Sequence, residues 1–132
     1  YKHPMMQLEI LYEMLEGAIP ENINIADEPT ASGMDQCDLV VVTGSTVSVN
    51  ALGRGLPVIS VKRSIGLTFE PMDWFDSPII YCETPEEIIR ATDKISSMSK
   101  KELETTRIES INIARKCLDP QVNHFAIEQC LS

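Results

Sequence analysis

Residues 37–61 read CDLVVVTGSTVSVNALGRGLPVISV and contain two short apolar runs, which a turn and a short segment separate. Both runs are apolar on both faces, as is typical of strands that helices cover on each side of a sheet. We therefore predict strands at residues 39–43 and 57–61. Two parallel neighbours need a crossover of about a dozen residues. We therefore predict a short helix over residues 47–54, although the β-branched residues there favour a strand.

Upstream of this block, the sequence pattern predicts one helix and one strand. Apolar side chains in residues 5–16 recur every three or four positions, which indicates an amphipathic helix. Ile23 and Ile25 alternate with asparagines, which indicates a short strand. Residues 27–36 are expected to be mostly loop with one helical turn.

Downstream of the block, the pattern predicts a third buried strand at residues 79–81 and three helices. Thr84 and Ser99 are each followed three positions later by a glutamate, and this capping box marks the start of a helix. A final helix is expected after Pro120. The side chains expected to face inward are Ile88, Ile89, Thr92 and Ile95 in the first helix, and Leu103, Ile108, Ile111, Ala114 and Leu118 in the second.

Strands that alternate with helices at this spacing predict an α/β fold, namely a Rossmann-like open parallel sheet in a three-layer α/β/α arrangement. The chain of 132 residues is long enough for one domain, which we predict to span residues 1–132. Because only four strands are predicted and the chain starts at Tyr1, we expect the sheet to be truncated at its N-terminal side. Two consecutive helices are expected to close the fold.

Composition and charge exclude several classes of partner. The formal net charge is −9, and no lysine or arginine lies between Lys2 and Arg54. Such a surface repels a phosphate backbone, so we predict no nucleic-acid partner. No apolar run approaches the roughly 20 residues of a membrane helix, so we predict no transmembrane segment.

The cysteines indicate neither a metal site nor a disulfide framework. Cys37, Cys82, Cys117 and Cys130 are widely spaced, form no CxxC motif and have only two histidines to assist them. We therefore predict no metal site. A domain with a proper core does not need disulfides, so reduced thiols and a cytoplasmic location are the default.

Candidate binding residues follow from the position of the strand ends. In open α/β sheets, ligands bind beyond the carboxyl ends of the strands. That rule selects His3, the turn Gly44-Ser45-Thr46, and the pair Lys62 and Arg63. A glycine lets the backbone approach a ligand closely, and hydroxyl groups, amides and cations bind anions. The alternative interpretation is structural, with a tight turn and helix cap at residues 44–46 and a solvated turn at Lys62.

The block at residues 37–61 resembles the signature of the C-terminal half of the GT-B glycosyltransferases. In that family an acidic step enters an apolar strand, a turn of small hydroxyl residues follows, and a short helix precedes a Gly-x-Pro-Val-Ile strand. The matching residues are Cys37-Asp38, the run at 39–43, Gly44-Ser45-Thr46, Asn50-Ala51-Leu52 and Gly55-Leu56-Pro57-Val58-Ile59, with Lys2-His3-Pro4 upstream and Thr84-Pro85-Glu86-Glu87-Ile88 downstream. The resemblance therefore spans nearly the whole chain, and it is closest to enzymes of surface carbohydrate, capsule and lipid-glycan assembly.

The resemblance implies a nucleotide-activated sugar as substrate, bound in the cleft between two Rossmann-like domains of which this chain is the second. Ser45 and Thr46 would hold the diphosphate, and His3 would face the same cleft. Asn50 stands where many members carry a carboxylate that binds the ribose hydroxyls, so the donor nucleotide stays open. No cofactor is implied. The rest of the parent protein would supply any general base and any peripheral contact with the inner face of the membrane, so we expect the 132-residue chain alone not to catalyse transfer.

Two other functions stay open at this point. Non-hydrolysing UDP-sugar 2-epimerases are also built from two such halves, although their set of carboxylates and histidine is not found in this sequence. The third interpretation is a non-catalytic α/β module that binds a nucleotide or a partner domain.

Overall fold

The computed structural model describes residues 20–24, 30–62, 70–73 and 75–118. Its contacts divide the chain into two units, Tyr1–Gln36 and Cys37–Ser132. In the first unit, residues 20–24 form a turn in which the Ile23 N–H donates to the Pro20 carbonyl oxygen at 2.9 Å. The strand predicted around Ile23 is therefore wrong in its described part, and Ile25 lies outside the described residues. Helix α1 spans Thr30–Met34 and confirms the predicted helical turn.

The second unit contains an open sheet of three parallel strands in the order β1-β2-β3. The strands are β1 Val40–Val42, β2 Val58–Val61 and β3 Ile80–Cys82. The register pairs Val41 with Ile59 and Ile59 with Ile80. The structure confirms the three predicted strands, with ends that differ by at most one residue. Strand β1 is not covered on both faces as predicted, because Val41 is 51% exposed. In the described part of the chain, the expected fourth strand is not found.

Helix α2, Val47–Gly53, connects β1 to β2 and confirms the helix that topology predicted against local preference. It contacts both of these strands, and its Val49, Ala51 and Leu52 side chains are buried. Burial of these side chains outweighs the weak helix propensity of the β-branched residues. Helices α3, Pro85–Ser96, and α4, Lys100–Leu118, follow β3. The described part of the chain is thus an α/β fold with four helices.

Both predicted capping boxes are present. Thr84 Oγ1 accepts the Glu87 N–H at 3.3 Å, and the Glu87 carboxylate accepts the N–H groups of Glu83 and Thr84. Ser99 and Glu102 make the equivalent pair of bonds at the start of α4. Backbone N–H groups of Glu83 and Thr84 lower the pKa of the Glu87 carboxyl, because they stabilise its charged form. The two helix starts were thus correctly predicted from short motifs.

One core cluster is built from β2, β3 and α3. It contains Ile59, Cys82, Ala91 and Ile95, with Leu39, Ile80 and Ile88 packed against it. Burial raises the pKa of the Cys82 thiol. Ile89 was expected to face inward, but 61% of it is exposed, so that prediction is wrong. It is adjacent to Ile88 in sequence, and a step of one residue rotates a side chain by about 100° around a helix.

Helix α4 buries the predicted stripe only in part, because Ala114 is buried as predicted but the longer side chains of the stripe are not. Ser110 and Ala114 are buried, whereas Leu103, Ile108 and Leu118 are exposed. The predicted stripe contains a step of five residues, which rotates a side chain about 140° away from its predecessor. Helix α4 packs against α2 through small side chains, since a Cβ at Gly53 would lie 3.9 Å from the Ala114 Cβ. Small residues allow this close approach, and bulky ones would prevent it.

Gly53 and Gly55, on either side of Arg54 at the end of α2, provide a matched pair for a stability test. Gly55 has φ +74° and an added Cβ would overlap the Arg107 side chain, whereas a Cβ at Gly53 has room. We expect Gly55→Ala to lower the free energy of unfolding by roughly 1–2 kcal/mol through the left-handed backbone alone. Gly53→Ala should leave it unchanged or raise it by up to about 1 kcal/mol. Urea denaturation followed by circular dichroism measures both, and equal losses in the two variants would contradict this assignment.

Candidate functional site

The carboxyl ends of the three strands meet at one edge of the sheet, because the strands are parallel. The turn Gly44-Ser45-Thr46, hereafter the 44–46 turn, follows β1, and Lys62 directly follows β2. Gly44 has φ 62°, in the left-handed region that glycine adopts without strain. The structure therefore brings the 44–46 turn and Lys62, two of the segments selected from the sequence, to the same edge.

The 44–46 turn is held by bonds to the first turn of α2. The Ser45 carbonyl oxygen accepts the Ser48 N–H at 3.0 Å and lies 2.7 Å from Ser48 Oγ. Ser45 Oγ accepts the Val47 N–H at 3.3 Å. Thr46 is exposed and its side chain makes no capping hydrogen bond. One hydroxyl of the turn thus stabilises the backbone, and the other is exposed and takes no part in capping α2.

Lys62 lies against the neighbouring strand β3. Its N–H donates to the Cys82 carbonyl oxygen at 2.8 Å, and its Nζ lies 4.1 Å from the centroid of the Tyr81 ring. A cation at this distance over an aromatic face is attracted by the ring. The Tyr81 ring therefore restrains the ammonium group of Lys62 at this edge.

Tyr81 is in turn tied to the segment that precedes β3. Burial and a side-chain hydrogen bond to Asp73 raise the pKa of Tyr81 above its usual range, and the charge of Asp73 adds to the shift. Ser77 also bonds the phenol, with a smaller and opposite effect. The phenol consequently stays protonated and donates at neutral pH.

A buried carboxylate that the sequence analysis did not select lies beside these residues. Glu70 is 2% exposed, and its Oε1 and Oε2 accept the hydroxyl groups of Ser48 at 2.5 Å and Ser60 at 3.0 Å. The Met72 N–H lies 3.4 Å from Glu70 Oε1. The sequence held one signal for this carboxylate. Ser48 and Ser60 occupy positions of α2 and β2 whose neighbours are mostly apolar, and a buried hydroxyl group needs a hydrogen-bond partner.

Other residues selected from the sequence are placed differently. Asn50 is exposed on α2, and the Arg54 Nη1 donates to its carbonyl oxygen at 3.4 Å, at the C-terminal end of the helix. Arg54 thus caps the C-terminal end of α2. His3 and Arg63 lie outside the described residues.

One cavity of the second unit lies at the amino edge of the sheet, opposite the edge that holds the 44–46 turn and Lys62. It has a volume of about 840 Å³ and is lined by residues that precede β1 and β2 and by the facing parts of α3 and α4. Leu39, Leu56, Ile95 and Leu103 supply apolar surface, while Arg107 supplies a cation. The 44–46 turn and Lys62 do not line it, so this cavity and the predicted binding residues are on different edges.

Within the described ranges, neither a group of metal ligands nor a membrane-spanning helix is found. Among those residues, no three or more histidine, cysteine, aspartate or glutamate side chains are grouped so that they could hold a metal ion. None of the helices in these ranges combines the length and apolar character that a membrane crossing needs.

Comparison of the chain with models of known protein families, with curated proteins and with solved structures found no match.

The hydrogen bond between Tyr81 and Asp73 gives a pH-dependent prediction. The pKa of Tyr81 is higher in the folded chain than the value near 10 of an unfolded tyrosine, so its stabilising contribution is complete below about pH 10. That contribution is lost as the pH rises further towards the folded pKa. Tyr81→Phe should cost about 1 kcal/mol at neutral pH, and the difference from the wild-type chain should shrink above pH 10. Urea midpoints from pH 7 to 11 test this, and a difference that grows above pH 10 would exclude it.

Proposed function

We propose that this chain is the nucleotide-sugar-binding half of a GT-B glycosyltransferase for surface carbohydrate assembly, with the Rossmann-like, three-layer arrangement of that family. The observation that carries the proposal is that the 44–46 turn lies at the carboxyl edge of a parallel sheet, the same edge at which Lys62 follows β2. Open α/β sheets bind their ligands at this edge. The resemblance of residues 37–61 to the family signature supports the same assignment.

The chemistry that this edge supplies is stabilisation of a departing diphosphate. Glycosyl transfer from a nucleotide sugar leaves negative charge on the diphosphate, and fixed hydrogen-bond donors and cations stabilise that charge in the transition state. Gly44 allows close approach of the backbone, and the exposed Thr46 hydroxyl adds a donor. Lys62 is the cation in the described part of this edge, and Arg63 and His3 belong to the proposed set from sequence alone.

The proposed donor site also includes Asn50, whose exposed position on α2 leaves its amide accessible to ligand. An amide hydrogen-bonds the ribose diol more weakly than a carboxylate does. The base of the donor nucleotide is therefore not specified by the proposal. The acceptor and any general base are assigned to the other domain of the parent protein.

A module that binds a partner or ligand at the opposite edge is a second candidate function. The observation that favours it is the cavity of about 840 Å³, whose lining combines apolar side chains with charged residues of both signs. Ligand cavities of a few hundred to a thousand cubic ångströms are typical of small-molecule sites. The two candidates differ in the edge that they use, so a mapping experiment separates them.

Titration with UDP, CDP and GDP tests the proposed donor site. We expect saturable binding of at least one nucleotide by calorimetry, and chemical-shift changes in the amides of Gly44, Ser45, Thr46 and Lys62. The double variant S45A/T46A and the variant K62Q should each weaken binding at least tenfold, because each removes hydrogen bonds to a charged group. Thr105→Ala is the matched control, since it removes an exposed hydroxyl from α4, where the bond to the Lys101 carbonyl is local.

Three results would count against the proposed donor site. Unchanged affinity in S45A/T46A would exclude the 44–46 turn as the diphosphate site. Shift changes confined to Leu56 and Leu103 would favour the cavity at the opposite edge. Turnover of a nucleotide sugar by the 132-residue chain alone would contradict the division of labour proposed between the two halves.

A further inference from the structure

Glu70 is a buried titratable residue that the proposed chemistry does not use. Its carboxylate is 2% exposed and takes three polar contacts, from two hydroxyl groups and one backbone N–H. A buried carboxylate is costly unless its oxygens are hydrogen-bonded. These hydrogen bonds connect parts of the chain that are distant in sequence.

The three contacts come from separate parts of the chain. Ser48 belongs to the first turn of α2, Ser60 lies in β2, and Met72 lies in the turn that follows Glu70. In that turn, the Asp73 N–H donates to the Glu70 carbonyl oxygen at 3.1 Å, and Met72 is fully buried. Glu70 therefore joins α2 and β2 to one anchored segment.

The contact through Ser48 extends to the 44–46 turn. Ser48 Oγ lies 2.5 Å from Glu70 Oε1 and 2.7 Å from the Ser45 carbonyl oxygen. The two acceptors share the single proton of this hydroxyl, and the Ser48 side chain thereby contacts the carboxylate and the turn at once. The Ser48 N–H donates to the same Ser45 oxygen at 3.0 Å. The Ser60 hydroxyl donates instead to the other carboxylate oxygen, Glu70 Oε2, at 3.0 Å.

We propose that Glu70 is a positioning residue, which fixes the 44–46 turn through Ser48 at the carboxyl edge of the sheet. Its relevance to ligand binding rests on the proposed function of that turn. Its effect on the backbone does not, because the hydrogen bonds that carry it are within the protein. Glu70 itself is not assigned a contact with the ligand.

Amide hydrogen exchange without ligand tests the positioning role directly. Glu70→Ala leaves the Ser48 and Ser60 hydroxyls and the Met72 N–H without this acceptor, whereas Glu70→Gln retains one carbonyl oxygen and adds an amide donor. We expect E70A to accelerate exchange of the Val47 and Ser48 amides at least tenfold relative to the amides of α3. E70Q should stay within about threefold of the wild-type chain, because its amide can replace the carboxylate contacts.

Two serine variants give the matched comparison and remain informative if E70A does not fold. Ser48→Ala should reproduce the faster exchange at Val47, because it removes the link between Glu70 and the Ser45 carbonyl. Ser60→Ala should leave exchange at Val47 unchanged, since the Ser60 hydroxyl donates to Glu70 Oε2 and not to the Ser45 carbonyl oxygen. Equal acceleration in α3 and at Val47, or an S60A effect as large as that of S48A, would overturn the proposal.

Nucleotide-binding measurements on the same variants distinguish a failure of the Glu70 proposal from a failure of the proposed function. With UDP as the probe, S48A should weaken binding at least fivefold, and S60A should not. If the wild-type chain binds no UDP, CDP or GDP, the proposed function fails, while the exchange data still decide the role of Glu70. If UDP binds and S48A exchanges faster but binds with unchanged affinity, the link from Glu70 to the ligand site is wrong.

Discussion

Val40 and Val42 of β1 pair in parallel with Val58 and Ser60 of β2, and parallel strands cannot be joined by a hairpin. The chain must return from the carboxyl end of one strand to the amino end of the next. Helix α2 makes this return in a segment whose β-branched residues favour a strand. The same return places the 44–46 turn at the carboxyl edge and leaves the start of β2 at the opposite edge. Both candidate binding regions therefore follow from the one parallel pairing.

Polar interactions at the carboxyl edge connect α2, β2 and β3 to the segment at residues 70–73. The Glu70 carboxylate accepts hydrogen bonds from Ser48 of α2 and Ser60 of β2. The Asp73 carboxylate, in the same segment, is hydrogen-bonded to Tyr81 of β3. Lys62 packs over the ring of that same tyrosine. Buried hydrogen bonds of this kind depend on direction as well as distance, so they define the positions of backbone segments more narrowly than apolar packing does. This edge is consequently the part of the sheet in which a ligand would meet prearranged groups.

The two edges of the sheet offer different chemistry to a partner. The carboxyl edge presents a glycine turn, hydroxyl groups and a restrained lysine, which suit an anionic ligand of small size. The amino edge presents a cavity with several apolar side chains, among them Leu39 and Leu103, and with Arg107 across it. A chain with a net charge of −9 attracts an anion only where a cation is held locally. The position of Lys62 is therefore as important to the proposed function as the turn itself.

Patterns within short stretches of sequence determined the three strands, the two capping boxes and the glycine turn, because each depends on neighbours a few residues apart. Tertiary structure decided which face of α4 is buried, since the close approach to Gly53 selects Ala114 over Leu118 and Ile108. It also decided the partners of Glu70. Ser48 and Ser60 lie 22 and 10 positions away from that residue, and no local pattern connects them. Contacts across such separations exist only once the strands have paired and brought distant segments together.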